Sequence, residues 1–134
     1  MANTKGQIFG INGPVVKVKG SDSFEMQEMV YVGNEELIGE VIGVTSDTTI
    51  VQVYEETTGL KKGEPVVGTG GPLSITLAPG ILSDIFDGIE RPLKEIRNMS
   101  GSFIGRGLKV TNLDERKTWN VEMVAKQGDY VTGG

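Results

Sequence analysis

The sequence contains no cysteine and no histidine among its 134 residues. The first absence excludes disulfides, thiolate chemistry and Cys-ligated metals. The second removes the usual general base near neutral pH and the commonest metal ligand. Aromatic residues make up 6% of the chain, with a single tryptophan, which is poor material for the stacking platforms of a single-strand nucleic-acid binder. Net charge is −5, and Lys and Arg form no cluster that would make a basic face for phosphates, so no nucleic-acid partner is expected. No apolar run approaches the roughly 20 residues that span a bilayer, so no direct membrane insertion is expected. The start, MANTKGQIFGING, lacks the apolar core of a signal peptide. These absences point to a cytoplasmic protein, or one held peripheral to a membrane by partners.

A chain this long makes one domain of ordinary size, or a small domain and part of another. Hydrophobic residues at 37% and charged residues at 23% suit a globular protein. Twenty glycines favour turns and bulges, and therefore many short strands. Gln7 to Ile11 and Pro14 to Lys19 read as a strand pair or one bent strand around Asn12-Gly13-Pro14. Val16-Lys17-Val18-Lys19 alternates apolar and charged residues, the period of a half-buried strand. Gly20 to Ser23 reads as a turn, and Glu25 to Glu28 is polar and ambiguous. Further strands are expected at Met29–Val32, Leu37–Thr45, Thr49–Tyr54 and Glu64–Thr69. Gly39 and Gly43 lie inside one of them, where glycine permits a bulge or sharp coiling. Strands at this spacing, without intervening helices, predict an antiparallel sandwich or a small closed barrel.

The segment from Gly71 to Leu93 organises the rest. A strand-like apolar run (Leu73, Ile75, Leu77) meets Pro79-Gly80. Ile81, Leu82, Ile85 and Phe86 then form one apolar stripe at helical spacing, with Gly88 as a left-handed cap. Arg91-Pro92 starts a second short helix carrying Leu93 and Ile96, stopped between Asn98 and Gly101. So small a helical hairpin must pack on something. The apolar residues Ile81, Ile85 and Phe86 are expected to fold back on the barrel or to pair with a second copy. In the last third, Asp114-Glu115-Arg116-Lys117 is a mixed-charge turn, and Trp119 to Val124 (WNVEMV) alternates like a strand. Lys126 to Gly134 then resembles the hairpin of lipoyl-like barrel-sandwich modules, whose partner strands would lie further on. That ending is expected of part of a longer chain.

Several motifs occur together and in order. They are Gly6-Gln7-Ile8 with Asn12-Gly13-Pro14-Val15-Val16, Leu37-Ile38-Gly39-Glu40-Val41, and Gln52-Val53-Tyr54-Glu55-Glu56-Thr57-Thr58-Gly59-Leu60. Gly63-Glu64-Pro65-Val66, Pro72-Leu73-Ser74 and Pro79-Gly80-Ile81-Leu82 follow. The most specific is Ile85-Phe86-Asp87-Gly88-Ile89-Glu90-Arg91-Pro92-Leu93, with Phe103-Ile104-Gly105-Arg106-Gly107 and Trp119 beyond it. Nearly the whole chain therefore resembles the N-terminal part of the catalytic A (alpha) subunit of V-type and archaeal-type rotary ATPases. Ala78, where glycine is expected before Pro-Gly, is a small departure.

The resemblance implies a mostly β chain in three parts. Residues 1–69 would be an N-terminal antiparallel β-barrel. Residues 70–96 would be a short helical linker toward a nucleotide-binding core. Residues 97–134 would begin a β-rich, barrel-sandwich-like bulge. It also implies B (beta) subunits for partners in an alternating A/B hexamer, together with stalk subunits. The parent activity would be ATP synthesis or hydrolysis coupled to proton or sodium transport, with ATP/ADP and Mg as its ligands.

No G-x-x-x-x-G-K-[ST] loop occurs in the sequence, so the phosphate-binding amides such a loop supplies are expected beyond Gly134. The nearest glycine clusters, Gly68-Thr69-Gly70-Gly71 and Gly105-Arg106-Gly107, lack the lysine and read as turns. No catalytic, cofactor-binding or metal residue is therefore expected within the 134, and the chain alone is expected to be inactive.

The remaining charged candidates have plain readings beside functional ones. Glu55 and Glu56 resemble an acid/base pair, but adjacent strand residues face opposite ways, so a solvated strand end is favoured. Asp84 and Asp87 suit a helix's polar face better than a cation site. Arg91 is a candidate to hold a carbonyl or carboxylate across the linker. Trp119 reads as a core anchor of the bulge. The rival to the whole reading is a stand-alone small-barrel adaptor with a lipoyl-like carrier hairpin, which needs a lysine at the hairpin tip. Lys126 is the nearest, in an unsupportive context.

Overall fold

In the computed structural model, residues 5–20, 24–82, 84–111, 113–114 and 116–132 are described. Six strands come first: β1 (Lys5–Asn12), β2 (Val15–Lys19), β3 (Glu28–Val32), β4 (Leu37–Val44), β5 (Thr49–Val53) and β6 (Pro65–Pro72). They close into an antiparallel barrel in the order β1-β2-β5-β4-β3-β6, with β6 pairing back onto β1. The barrel alternative of the sequence reading is the one adopted. Closure removes the free edges on which other chains could pair.

Alternation decides the core. Val16 and Val18 of β2 are buried while Lys17 and Lys19 are exposed. Ile8, Val30, Val32, Leu37, Val41, Val51 and Val66 join them, with Phe24 from the β2–β3 loop closing one end. Burying a Val or Leu side chain stabilises by about 1.5–3 kcal/mol, so this apolar set is the barrel's main support. Coiling into so small a barrel needs irregular ladders, and register shifts fall between Ile8 and Gly10, Glu28 and Val30, and Val41 and Gly43. Gly39 serves close approach: a Cβ there would lie 2.9 Å from both the Gln52 carbonyl oxygen and Val51 Cγ1.

Beyond β6 the chain departs from expectation in three places. The apolar run Leu73, Ile75, Leu77 is not a strand. β6 ends at Pro72, and the three side chains are exposed. Both edges of β6 are already paired with β1 and β3, so no partner is open to an extension.

The helix expected over 81–87 is also absent. A single 3-10 turn (Pro79–Ile81) ends at Leu82, which is extended. The Asp87 carboxylate accepts the N–H groups of Ile89 and Arg91, at 3.1 and 2.8 Å. Such short-range capture competes with helical bonding. The loop closes through Asp87 N–H to the Arg91 carbonyl and Leu93 N–H to the Ile85 carbonyl. The left-handed residue is Glu90 (φ 63), not Gly88. The second helix is present as α1 (Leu93–Ser100), starting after Pro92 and ending on Gly101 at φ 76. Ile96 is its buried residue.

Third, among the described residues no strand follows β6. Trp119 to Val124 is exposed and unpaired by any ladder. A strand needs a neighbour to accept its backbone hydrogen bonds, and none of the described residues supplies one. The turn expected at Lys126–Asp129 does form, with Asp129 N–H on the Lys126 carbonyl and Gly128 at φ 97. Ser21 to Ser23 of one expected turn, Glu115 of another, and Gly133-Gly134 lie outside the described residues.

Candidate functional site

The linker meets the barrel at one buried carboxylate. Glu55 follows β5, and its side chain is 7% exposed. Its Oε1 faces the Ile38 N–H of β4 at 3.4 Å, a weak bond that orients it against the barrel. Its Oε2 accepts the Arg91 Nη1 donor at 2.9 Å and the Gly107 N–H at 2.9 Å. Arg91 is 9% exposed and also donates from Nε to Asp87 Oδ2 at 2.7 Å. One guanidinium thus bridges a barrel carboxylate and a linker carboxylate.

The chemistry explains why these charges are tolerated. A buried ion is costly unless paired and hydrogen-bonded. Burial pushes the Asp87 carboxyl up, but the Arg91 N–H, the Arg91 guanidinium and the Ile89 N–H outweigh it, holding the group below the usual carboxylate range. Burial likewise disfavours the Arg91 cation. The Asp87 hydrogen bond and the charges of Glu55 and Asp87 outweigh that, and its pKa is raised.

A second set of contacts lies outside this one. Arg106 pairs with Glu35 at 2.7 Å, and Lys109 pairs with Glu36. The Lys109 ammonium also lies 5.6 Å from the centre of the Tyr31 ring. Residues 106–109 therefore lie along the β3–β4 turn.

Arg91 thus does hold a carboxylate across the linker, and the structure brings it to Glu55 and Asp87. The reading of Glu55 as a solvated strand end is corrected. Its carboxylate is covered because Arg91, 36 positions on, supplies the compensating charge. Glu56 beside it is exposed, so the two acids do not share a site. Asp84 and Asp87 do not share a helical face: Asp84 pairs with Lys94, Asp87 with Arg91. Trp119 is not a core anchor either. It is 42% exposed, with the Lys117 ammonium 4.3 Å from its ring centre. It lines an open groove of about 730 Å³ with Phe86 and Pro92 of the linker.

In both glycine clusters an amide is engaged by a protein carboxylate. Gly107 donates to Glu55, and Gly70 donates to Glu28 Oε1 at 2.9 Å. Glu28 itself is a buried acid, 2% exposed, that also accepts the Glu25 N–H. Sequence reasoning singles out neither Glu28 nor the acidic pair Glu35-Glu36. The adjacent pair at a tight turn is the available signal for the second. Among the described residues no group of three or more acidic side chains is placed to hold a metal ion. No helix among them is long and apolar enough to cross a membrane.

A closed six-stranded barrel that hands a clamped linker onward is the architecture of a domain that positions something else. Residues 8–70 match the ATP synthase alpha/beta family, beta-barrel domain, and the chain belongs to that family. Its relatives narrow the likeness. It is 51% identical over 129 residues to V-type ATP synthase alpha chain 2 of Clostridium tetani, covering 96% of this chain and 22% of that protein. It is 52% identical over 130 residues to the V-type ATP synthase alpha chain of Halothermothrix orenii, with coverage of 97% and 22%. The corresponding chain of the A-type ATP synthase of Methanopyrus kandleri is 52% identical over 135 residues, with coverage of 100% and 23%. The chain therefore spans between a fifth and a quarter of the length of these relatives.

Proposed function

We propose that this chain is the N-terminal region of the catalytic subunit of a V-type ATP synthase, and that its own task is assembly rather than chemistry. The observation that carries this reading is identity near 50% over almost the whole chain to V-type alpha chains and their A-type counterparts. In this reading residues 1–69 are the barrel, 70–96 the linker toward a nucleotide-binding core, and 97–134 the start of the bulge. The barrel packs beside B subunits in an alternating ring, at the cytoplasmic side of a membrane-bound complex. The parent couples ATP synthesis or hydrolysis to ion transport, using Mg-nucleotide held by residues beyond this chain.

Two features support the division of labour. The chain has no P-loop sequence. Its two glycine clusters each commit an amide to a carboxylate, the charge opposite to what would leave room for phosphate. Leu82 and Ile85 stand exposed on the linker, where the following core or a second copy would cover them. No observation favours the carrier alternative. Lys126 sits at an exposed turn, but no paired strands among the described residues present it.

Calorimetric titration of ATP and Mg-ADP tests this reading, using the 134-residue chain and one extended through the next few hundred residues. Binding by the extended chain alone is expected. Binding by the 134 residues themselves would place a nucleotide site here and overturn the proposal.

A further inference from the structure

The shared carboxylate has a consequence for motion. We propose that residues 105–109 form a strap coupled to the linker through Glu55, so that docking of either segment strengthens docking of the other. Arg91 of the linker and the Gly107 N–H of the strap both end on Glu55 Oε2. The two lie on opposite sides of α1 in sequence. The strap covers the carboxylate and keeps it 7% exposed.

With the strap displaced, water reaches the Arg91–Glu55 pair, and a solvated ion pair is much weaker than a shielded one. With Arg91 displaced, the buried carboxylate loses its compensating cation, and the Gly107 amide loses an ordered acceptor. Whichever segment docks first bears the cost of ordering and desolvating Glu55, and the second docks on a prepared group.

Independent features show that the strap is fitted to this place. Gly107 has φ +61, and a Cβ there would lie 2.6 Å from the Glu35 carbonyl oxygen. Only glycine lets the strap approach so closely. Charge favours the approach as well. Residues 1–69 carry ten carboxylates against five Lys and Arg, whereas residues 70–134 carry eight of each. Three of the cations in the second part, Arg91, Arg106 and Lys109, meet carboxylates of the barrel. The outer two pairs are exposed and salt-screened, so they guide the strap, while the inner contact at Glu55 sets the coupling.

Coupling is reciprocal, which makes it testable by hydrogen exchange of single amides in the 134-residue chain. Gly107→Ala pushes the strap off without touching any linker residue. Exchange at the Arg91 and Leu93 amides should then accelerate at least fivefold, while the Val51 amide of the barrel stays unchanged. Arg91→Ala should accelerate the Gly107 amide to a similar degree. The Glu35→Gln/Glu36→Gln double variant loosens the strap without a clash and should also speed the linker amides. Strap amides that open while Arg91 and Leu93 keep their wild-type rates, in either strap variant, would show independent segments and overturn the proposal.

Discussion

Replacing Arg91 by alanine removes the cation that compensates two carboxylates. Its side chain is 9% exposed, and its partners Glu55 and Asp87 are 7% and 15% exposed. Breaking a fully buried pair from one side costs about 3–5 kcal/mol, because the remaining charge stays buried and unpaired. This site lies near the surface, where water can reach the orphaned carboxylates, so the low end applies, about 3 kcal/mol. At 1.4 kcal/mol per factor of ten, that is about a hundredfold in the docking equilibrium of the linker. The loss should be local. The barrel core lies among residues 8–66 and includes no linker residue. Amide exchange at Ile96, whose N–H bonds the Pro92 carbonyl, and at Leu93 should accelerate about a hundredfold, or to the unprotected limit. Exchange at Val51 should not change. Unchanged protection at Leu93 and Ile96 would refute the reasoning, and so would an equal loss throughout the barrel. The second result would mean that linker and barrel unfold as one unit.

Three further outcomes follow from the geometry. Gly39→Ala forces a Cβ against the Gln52 carbonyl and Val51, and should destabilise the barrel by about 2 kcal/mol, lowering Tm by about 10 °C, as read by calorimetry. Asp87 is depressed in the folded state, so its contribution is complete above the unfolded value near pH 4 and is lost as pH falls through its folded pKa. Linker amides should therefore lose protection below about pH 4, in a step that is absent from Asp87→Asn. The Tyr54 phenol, hydrogen-bonded to Glu40, partly buried and facing its negative charge, is pushed up to about 12. Its raised value stabilises the fold below the ordinary tyrosine range and is lost as pH rises through about 12. Phenolate absorbance should show this late step, and Glu40→Gln should return it toward 10.

The barrel was legible because its information is local. Val16-Lys17-Val18-Lys19 alternates on one strand, and Asn12-Gly13-Pro14 marks a turn between two strands. The later segments follow at regular intervals, and closure is the economical solution for short strands without helices. The region after Pro72 was less legible because its structure depends on pairs distant in sequence. The stripe Ile81, Leu82, Ile85, Phe86 fits a helix, yet Asp87 captures two amides that would otherwise serve one. Glu55 looks like a solvated acid until Arg91 arrives from 36 positions away. Gly105-Arg106-Gly107 reads as a turn by composition, and only the fold shows that Gly107 is pressed against Glu35. Trp119 to Val124 alternates like a strand, but alternation cannot supply the neighbouring strand that a ladder requires.

The central claim is that the barrel assembles and does not catalyse. Its most direct test is deletion of residues 1–69 from a full-length V-type alpha chain, followed by sedimentation with its B-type partner and by nucleotide titration. The account predicts that alternating rings fail to form while Mg-nucleotide binding by the remaining core persists. Normal ring formation without the barrel would contradict it.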